Sequence, residues 1–360
     1  MSVGEPSRLD VAFVVPRSGP AGIFGPSCEA CGQLAAEEIN EADGVLGREL
    51  RLHAIDGGRA PEQVAAEVDA LVGAGLVDAV AGWHISAVRQ RLTPIVAGRV
   101  PYVYSPGYEG GERTPGVFLT GETPDRQLLP ALRWMAGELD VRTWFVIGND
   151  YVWPQQSARA VRRYARDGTE LRIVDEMFVP LGTTDFGPVV QRVARSNAHG
   201  VLMLLVGSDA VQFNRAFAAE SGLDRLCVRL SPLIDENVLL ASGVPSGQGL
   251  YSAAGYFETL VSRNGLDFSG RYSERFGPRA PMLNSLGESC YEGITLLARL
   301  AARARSVELR ALGAAAEGIA YESPRGRVRM TDNHLDQSVY LAKADGLQFD
   351  VLAELAGVGG

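Results

Sequence analysis

The feature that most constrains the fold is a regular alternation of short apolar runs with amphipathic stretches. LDVAFVVP (9–16), ELRLHAID (49–56), VDAVAG (77–82) and VPYVYSP (100–106) are typical of strands. Between them, 26–42, 61–75 and 85–99 have apolar residues at helical spacing. Strands that alternate with helices at this spacing predict an α/β fold with a doubly wound parallel sheet.

The same alternation starts again after Gly121. Helices are predicted at 126–139, 156–168, 184–197 and 209–222, and strands at 143–150, 170–180, 200–207 and 225–232. A chain of 360 residues suits two α/β lobes of about 150–200 residues each. The sequence therefore predicts two doubly wound parallel-sheet lobes.

The pattern changes from Gly249 onward, where a crossing segment, two helices and three strand-like runs follow. Crossings between the lobes are predicted near 120–124, 252–257 and 323–330, which makes a three-crossing hinge. We therefore expect lobe 1 to consist of 1–120 plus 254–324. Lobe 2 is expected to consist of 121–253 plus 325–360.

Signatures of common enzyme classes are missing from the sequence. It has no phosphate-binding P-loop, no H-E-x-x-H, no G-x-S-x-G and no G-x-G-x-x-G. Cys28 and Cys31 form a C-x-x-C, which is either a redox or metal pair or two small buried residues of the first helix. No further ligands follow at matching spacing, which favours the second interpretation. We expect no catalytic residue, no metal site and no cofactor, and hence a protein that is not an enzyme.

Polar and aromatic residues gather where the predicted strands end. In open α/β sheets, ligands bind just beyond the carboxyl ends of the strands. Aromatic walls with a few aimed hydrogen-bonding groups suit a small polar ligand. The candidate ligand-binding residues are His84, Ser86, Tyr104, Ser105, Pro106, Tyr151, Trp153, Gly207, Ser208, Asp209 and Asp235.

Several of these candidates have a structural alternative. Ser86 either caps the helix that follows or helps that helix bind a ligand oxygen. His84 is either an exposed loop residue or a ligand contact. If it is a ligand contact, binding should change between about pH 5.5 and 7.5. A buried carboxylate such as Asp235 needs a donor from the backbone, a side chain or the ligand.

Net charge and the start of the chain bear on partners and location. The formal net charge is −9, and an acidic surface disfavours direct nucleic-acid binding. No apolar run has the roughly 18–20 residues needed to span a bilayer, so no membrane insertion is expected. The N-terminus lacks the pattern of a secretory signal, which predicts a cytoplasmic protein. The alternative is a periplasmic or other extracytoplasmic protein whose signal was removed.

Longer motifs resemble a known family. EEINEADGVLGRELRLHAIDGG (37–58) resembles the first lobe of type I periplasmic binding proteins for branched-chain amino acids, amides and urea. HISAVR (84–89), YEGGE (108–112), TGETPDRQ (120–127), GNDYVWP (148–154) and LGTTDF (181–186) are similar to short-chain amide sensors and to urea-binding components of ABC transporters. The resemblance extends over essentially the whole chain and implies a ligand held between two lobes that close like a Venus flytrap.

The resemblance also implies site residues and partners. It assigns ligand contacts to His84, Ser86, Tyr104 and Pro106 in lobe 1, and to Tyr151, Trp153 and 207–209 in lobe 2. The expected function is a cytoplasmic sensor of a short-chain amide, urea or similar ligand that takes part in transcriptional regulation. The alternative is the solute-binding component of an ABC importer for urea, amides or branched-chain amino acids. The expected partners are the small ligand and a regulatory protein or an ABC permease, with a homodimer as a further option.

Overall fold

The computed structural model describes residues 8–105, 107–167 and 169–355. In chain order, its strands are β1 (Arg8–Val15), β2 (Glu49–Asp56), β3 (Ala79–Trp83), β4 (Tyr102–Ser105), β5 (Val117–Leu119), β6 (Thr143–Asn149), β7 (Arg172–Val179), β8 (Gly200–Leu204), β9 (Val228–Ser231), β10 (Leu250–Ala254), β11 (Ala320–Ser323), β12 (Gly326–Thr331), β13 (His334–Asp336), β14 (Val339–Asp345) and β15 (Gln348–Leu355).

Most of the α-helices follow the alternation that the sequence predicts. They are α1 (Gly25–Glu41), α2 (Pro61–Gly73), α3 (Ser86–Val96), α4 (Leu128–Glu138), α5 (Val152–Arg166), α6 (Gly187–Arg195), α7 (Ser208–Ala219), α8 (Leu223–Leu226), α9 (Glu236–Ser242), α10 (Arg263–Phe276), α11 (Ser285–Ala304) and α12 (Leu309–Ala316). Within the described residues, no helix combines the length and apolar character that crossing a membrane requires.

The chain divides into two compact units. Lobe 1 is the described part of Met1–Pro106, Gly111–Gly121 and Ser262–Gln337, and lobe 2 is the described part of Gly107–Gly110, Glu122–Val261 and Ser338–Gly360. Each lobe has its own sheet and its own buried apolar core. The predicted fold class, two α/β lobes, is confirmed.

Lobe 1 contains an eight-stranded sheet in the order β11-β12-β13-β5-β4-β3-β1-β2. The strands from β2 to β13 pair in parallel, whereas β11, β12 and β13 pair antiparallel. Helices α1 and α11 pack tightly, because Gly287 leaves room for the backbone of Ser27, only 3.0 Å from where a Cβ atom would lie. The chain reverses its winding direction at β1, between β2 and β3, which is where such sheets bind ligands.

Lobe 2 contains a seven-stranded sheet in the order β15-β14-β10-β9-β8-β6-β7. The strands from β7 to β10 pair in parallel, and β14 and β15 add an antiparallel hairpin at one edge. The winding direction reverses at β6, between β7 and β8. The two sheets are therefore mixed, with a parallel core and antiparallel additions.

The lobe boundaries differ from the predicted ones: Gly107–Gly110 belongs to lobe 2, the first crossing follows Gly121, and two later boundaries shift further. Residues 254–261 belong to lobe 2, where the amide of Gly255 donates to Glu122 Oε1 over 2.9 Å and Thr259 Oγ1 donates to the carbonyl of Phe349 over 2.6 Å. Residues 325–337 belong to lobe 1, because β12 forms a hairpin with β11 and β13 pairs with β5. The sequence shows strands here but not which sheet they join.

Candidate functional site

The amino end of α3 follows the carboxyl end of β3 in the lobe 1 sheet. Strand β3 stops at Trp83, and Ile85 is the N-cap of α3 with no side-chain cap. Ser86 is the first residue of the helix rather than its N-cap, so the capping alternative is wrong, and the side chain is 2% exposed. Its Oγ atom has no hydrogen-bond partner within the described part of the chain. A hydroxyl group thus lies next to the N–H groups that every helix leaves unpaired at its start.

His84 is buried just before this helix. Its Nε2 atom lies 2.8 Å from the Tyr102 hydroxyl, and its Nδ1 atom lies 3.3 Å from the carbonyl of Ile85. A carbonyl only accepts, so the ring proton belongs on Nδ1, and Nε2 accepts from Tyr102. Burial lowers the pKa of His84 to about 3. The alternative of an exposed loop residue is wrong, because His84 is buried. The lowered pKa does not favour the predicted change in binding between pH 5.5 and 7.5.

Tyr104 and Ser105 point to opposite faces of β4. The Tyr104 hydroxyl donates to the carbonyl of His84 over 2.7 Å, on the face covered by α3. The Ser105 Oγ atom lies on the other face, 2.5 Å from where a Cβ atom on Gly293 of α11 would be. The structure therefore brings Tyr104 together with His84 and places Ser105 elsewhere. Pro106, also predicted, lies outside the described residues.

Two charged residues near this edge were not among the predicted contacts. Arg89 of α3 forms a buried ion pair with Glu112, and its guanidinium lies 5.7 Å from the Tyr104 ring centroid. Burial acts to raise the pKa of Glu112, but hydrogen bonds from Thr114 and the charge of Arg89 outweigh it and lower that pKa. The basic residue Arg17 also pairs with a glutamate, Glu29. Both residues of the Arg89–Glu112 pair lie in motifs that carry the family resemblance, which was the available signal.

In lobe 2, the aromatic candidates follow β6. Tyr151 is the N-cap of α5, and Trp153 lies in the first turn of that helix. The two ring centroids are 6.4 Å apart with a 34° tilt between the planes. Trp153 is 5% exposed. The structure therefore groups the two predicted aromatic residues at the winding reversal of this sheet.

Gly207, Ser208 and Asp209 form the amino end of α7 after β8. Gly207 has a φ of 48°, a conformation that glycine adopts without strain. Asp209 is buried and accepts hydrogen bonds from Asn149 Nδ2 over 2.6 Å and from the amide of Gly182 over 2.8 Å. Asn149, missed from the sequence, also accepts from the amide of Val206 over 2.9 Å. Asp209 thus ties together three strand-end loops of lobe 2.

Asp235 begins α9, after β9, beside a second buried carboxyl group on Glu236. The Asp235 Oδ1 atom caps the helix by accepting from the amide of Val238 over 3.0 Å. Glu236 Oε1 accepts from the amide of Glu258 over 2.8 Å. Burial raises the pKa of Asp235 to about 7, and burial together with the neighbouring Asp235 raises that of Glu236 to about 8. The second oxygen of each carboxyl group has no hydrogen-bond partner among the described residues.

The cysteine pair is buried in lobe 1. Cys28 and Cys31 are buried on α1, and burial, with Cys290 and Glu288 nearby, raises the pKa of Cys31. In the described part of the chain, no three His, Cys, Asp or Glu side chains are grouped to hold a metal ion. Protonated buried thiols are typical of packing rather than of reactivity.

Comparison with known proteins gives a family. A family model described as periplasmic binding protein matches residues 9–348. "Leu/Ile/Val-binding protein homolog 6" of Brucella melitensis is 27% identical over 305 residues, which cover 79% of this chain and 75% of that protein. "Leu/Ile/Val-binding protein BraC3" of Rhizobium johnstonii is 21% identical over 51% of each chain.

Solved structures share the fold over nearly the full length. A solute-binding protein of an ABC transporter from Rhodopseudomonas palustris BisB5, in complex with 3,4-dihydroxybenzoic acid, has a TM-score of 0.85 at 21% identity and covers 98% of this chain and 99% of that chain. LivJ from Streptococcus pneumoniae, in complex with isoleucine, has a TM-score of 0.84 at 17% identity and covers 97% and 99%. With the family model matching almost all of the sequence, this chain belongs to the periplasmic binding protein family.

Proposed function

We propose that this protein is the solute-binding component of an ABC importer that works outside the cytoplasm. Its ligand is a small organic molecule with a carboxylate or amide oxygen. The observation that carries the proposal is Ser86: a buried hydroxyl group at the amino end of α3 that has no hydrogen-bond partner among the residues the structure describes. A helix amino end attracts partial or full negative charge, and a buried polar group without a partner is costly. A ligand oxygen satisfies both.

The lobe 2 edge, considered by itself, offers groups that suit hydrogen-bond donors and apolar surface on a ligand. Trp153 and Tyr151 offer flat apolar walls, and Asp235 Oδ2 offers an acceptor. The two arginines discussed above, Arg17 and Arg89, are already paired with glutamates. The lobe 2 groups suit amides, urea and branched-chain amino acids, and the Ser86 hydroxyl of lobe 1 suits a ligand oxygen, including that of a benzoate.

The transport role is preferred over the regulatory role that the sequence motifs suggested first. The relatives compared above are described as Leu/Ile/Val-binding proteins or as solute-binding proteins of ABC transporters. An importer component has a permease as its partner and needs no regulatory protein. Fractionation of native cells separates the roles: we expect the protein outside the cytoplasm, and recovery in the cytoplasm would favour the sensor.

The ligand assignment is tested with Ser86→Ala. Mass spectrometry of molecules released from the purified protein identifies the ligand class, and calorimetry with acetamide, urea, isoleucine and 4-hydroxybenzoate measures affinity. We expect Ser86→Ala to weaken binding about tenfold, because one hydrogen bond to a ligand oxygen is lost. The matched control is Ser246→Ala, which removes a buried hydroxyl just before the amino end of β10. Equal affinity in both variants would remove Ser86 from the site.

A further inference from the structure

Three aromatic side chains pack next to the amino end of α3, and the sequence alone did not show that they contact one another. Tyr102, Tyr104 and His84 are all buried and hydrogen-bond to one another rather than to solvent. The His84 ring lies 6.1 Å from the Tyr102 ring in a stacked arrangement and 5.1 Å from the Tyr104 ring. The three side chains thus form a compact layer under the first turn of α3.

Each tyrosine hydroxyl holds a different part of residue 84. Tyr104 donates its proton to the main-chain carbonyl of His84, and Tyr102 donates to the ring at Nε2. The other ring nitrogen faces the carbonyl of Ile85, which also accepts from the amides of Val88 and Arg89 over 2.9 and 3.3 Å. Residue 84, which leads into α3, is therefore fixed by hydrogen bonds to its side chain and to its main-chain carbonyl.

We propose that His84, Tyr102 and Tyr104 are positioning residues that fix the first turn of α3 for ligand binding and do not contact the ligand themselves. The inference rests on the proposed function in one respect, namely that a ligand binds at this first turn. A binding oxygen must meet Ser86 Oγ and the helix N–H groups together, so a small shift of the turn weakens several contacts at once.

The arrangement also predicts how substitutions will behave. Tyr104→Phe removes the proton donor to the His84 carbonyl and leaves the ring in place. Tyr102→Phe removes the donor to the His84 ring in the same way. His84→Gln keeps a side-chain acceptor for Tyr102, whereas His84→Phe keeps only an aromatic ring. A positioning role therefore predicts that glutamine rescues what phenylalanine loses.

The chain offers a matched control in Tyr272. Its hydroxyl donates to the carbonyl of Pro281 over 2.8 Å, it is buried, and it lies in the same lobe on α10. Tyr272→Phe therefore removes the same kind of bond without touching α3. Any effect shared by Tyr104→Phe and Tyr272→Phe reports general stability, and any effect confined to Tyr104→Phe reports the first turn of α3.

The primary experiment is amide hydrogen exchange on the full-length protein without ligand. We expect the amides of Val88 and Arg89 to exchange at least tenfold faster in Tyr104→Phe, Tyr102→Phe and His84→Phe. They should exchange at about the wild-type rate in His84→Gln and Tyr272→Phe. Unchanged exchange in the tyrosine variants would overturn the proposal, and if one variant does not fold, the other decides. Because no ligand is added, this result is independent of the proposed function.

A second measurement connects the turn to binding. The affinity for whichever of acetamide, urea, isoleucine and 4-hydroxybenzoate binds the wild type should fall at least tenfold in Tyr104→Phe and stay within twofold in Tyr272→Phe. Lower affinity with unchanged exchange would mean direct ligand contact and would overturn positioning. Faster exchange together with full affinity in Ser86→Ala would support positioning of the turn but contradict the proposed use of Ser86.

Discussion

The strand-end edges of the two lobes share a winding pattern but differ in chemistry. In lobe 1, charges near α3 are neutralised: His84 is neutral, and Arg89 is paired with Glu112. In lobe 2, Asp235 and Glu236 are buried without a cationic partner among the described residues, and their pKa values rise toward neutrality. The comparison teaches that the two edges differ in where their buried groups ionise: His84 keeps its neutral form near pH 7, whereas the ionisation of Asp235 and Glu236 falls close to that pH.

The largest expected effect is on the stability of lobe 1. Glu112→Gln should lower the free energy of unfolding by about 3 kcal/mol, because Arg89 would stay buried and charged without its partner. Calorimetric thermal unfolding without ligand measures it. The exposed pair of Arg8 and Glu49 is the control, since Glu49→Gln should cost less than about 1 kcal/mol. If both variants lose the same free energy of unfolding, the buried pair stabilises lobe 1 no more than an exposed pair does.

The next effect concerns ligand affinity in lobe 2. Trp153→Ala should weaken ligand binding by roughly 2 kcal/mol, as expected for an aromatic wall at the centre of a site. Calorimetry with the ligand recovered from the protein measures it. Trp144→Phe, which alters a buried tryptophan at the amino end of β6, is the control. A change below threefold in Trp153→Ala would mean that this ring only packs.

Much of the lobe 1 edge was readable in advance, because strand ends and helix starts are marked by turns such as GWHIS. The roles within it were not. His84 looked like a contact because of its position, and only the three-dimensional pairing of β3 with β4 shows that Tyr102 and Tyr104 surround it. Glu112 lies in a glycine-rich loop, and its partner Arg89 is 23 residues away. Long-range pairings of this kind leave no periodic signal.

For the last of the described strands, the sequence did not show which of the two sheets each strand joins. The runs around β12 and β14 are both apolar and alternating, yet one joins the sheet of lobe 1 and the other that of lobe 2. Periodicity reports which face of a strand is buried but not against which neighbour it pairs. The helices α8 and α9 of lobe 2 were also missed, because they are only four and seven residues long. In lobe 1, α10 was missed because it carries many charged residues.

A smaller effect sharpens the contrast in pH response. Glu236 binds its proton more tightly when folded, with a pKa near 8. The free energy of unfolding should therefore fall as pH rises from about 5 to 8, because over this range the Glu236 carboxyl group ionises readily in the unfolded chain but not in the folded one. Glu236→Gln should flatten this fall and raise stability at pH 8 by about 1 kcal/mol or more. Thermal unfolding across that range measures it, and an unchanged slope would contradict the buried acid.

The smallest effect is an expected lack of change. Because His84 stays neutral, replacing it with glutamine should leave the pH profile of affinity between pH 5.5 and 7.5 unaltered. Asp235→Asn, in contrast, should flatten any rise or fall near pH 7, because that carboxyl group titrates there. Calorimetry at several pH values compares the two. If His84→Gln alters the dependence of affinity on pH and Asp235→Asn does not, the proposed difference in pH response between the two edges is wrong.

The pairing of β13 with β5 sets the order in which the molecule can be completed during synthesis. Residues 8–121 leave the ribosome long before 320–336, and until then β5 is an open sheet edge. Lobe 2 likewise waits for β14 and β15, the last of the described strands. Nascent chains therefore carry two unfinished sheets for most of translation, when unpaired edges favour aggregation. Truncation before residue 355 should accordingly leave both the yield and the hairpin edge of lobe 2 impaired.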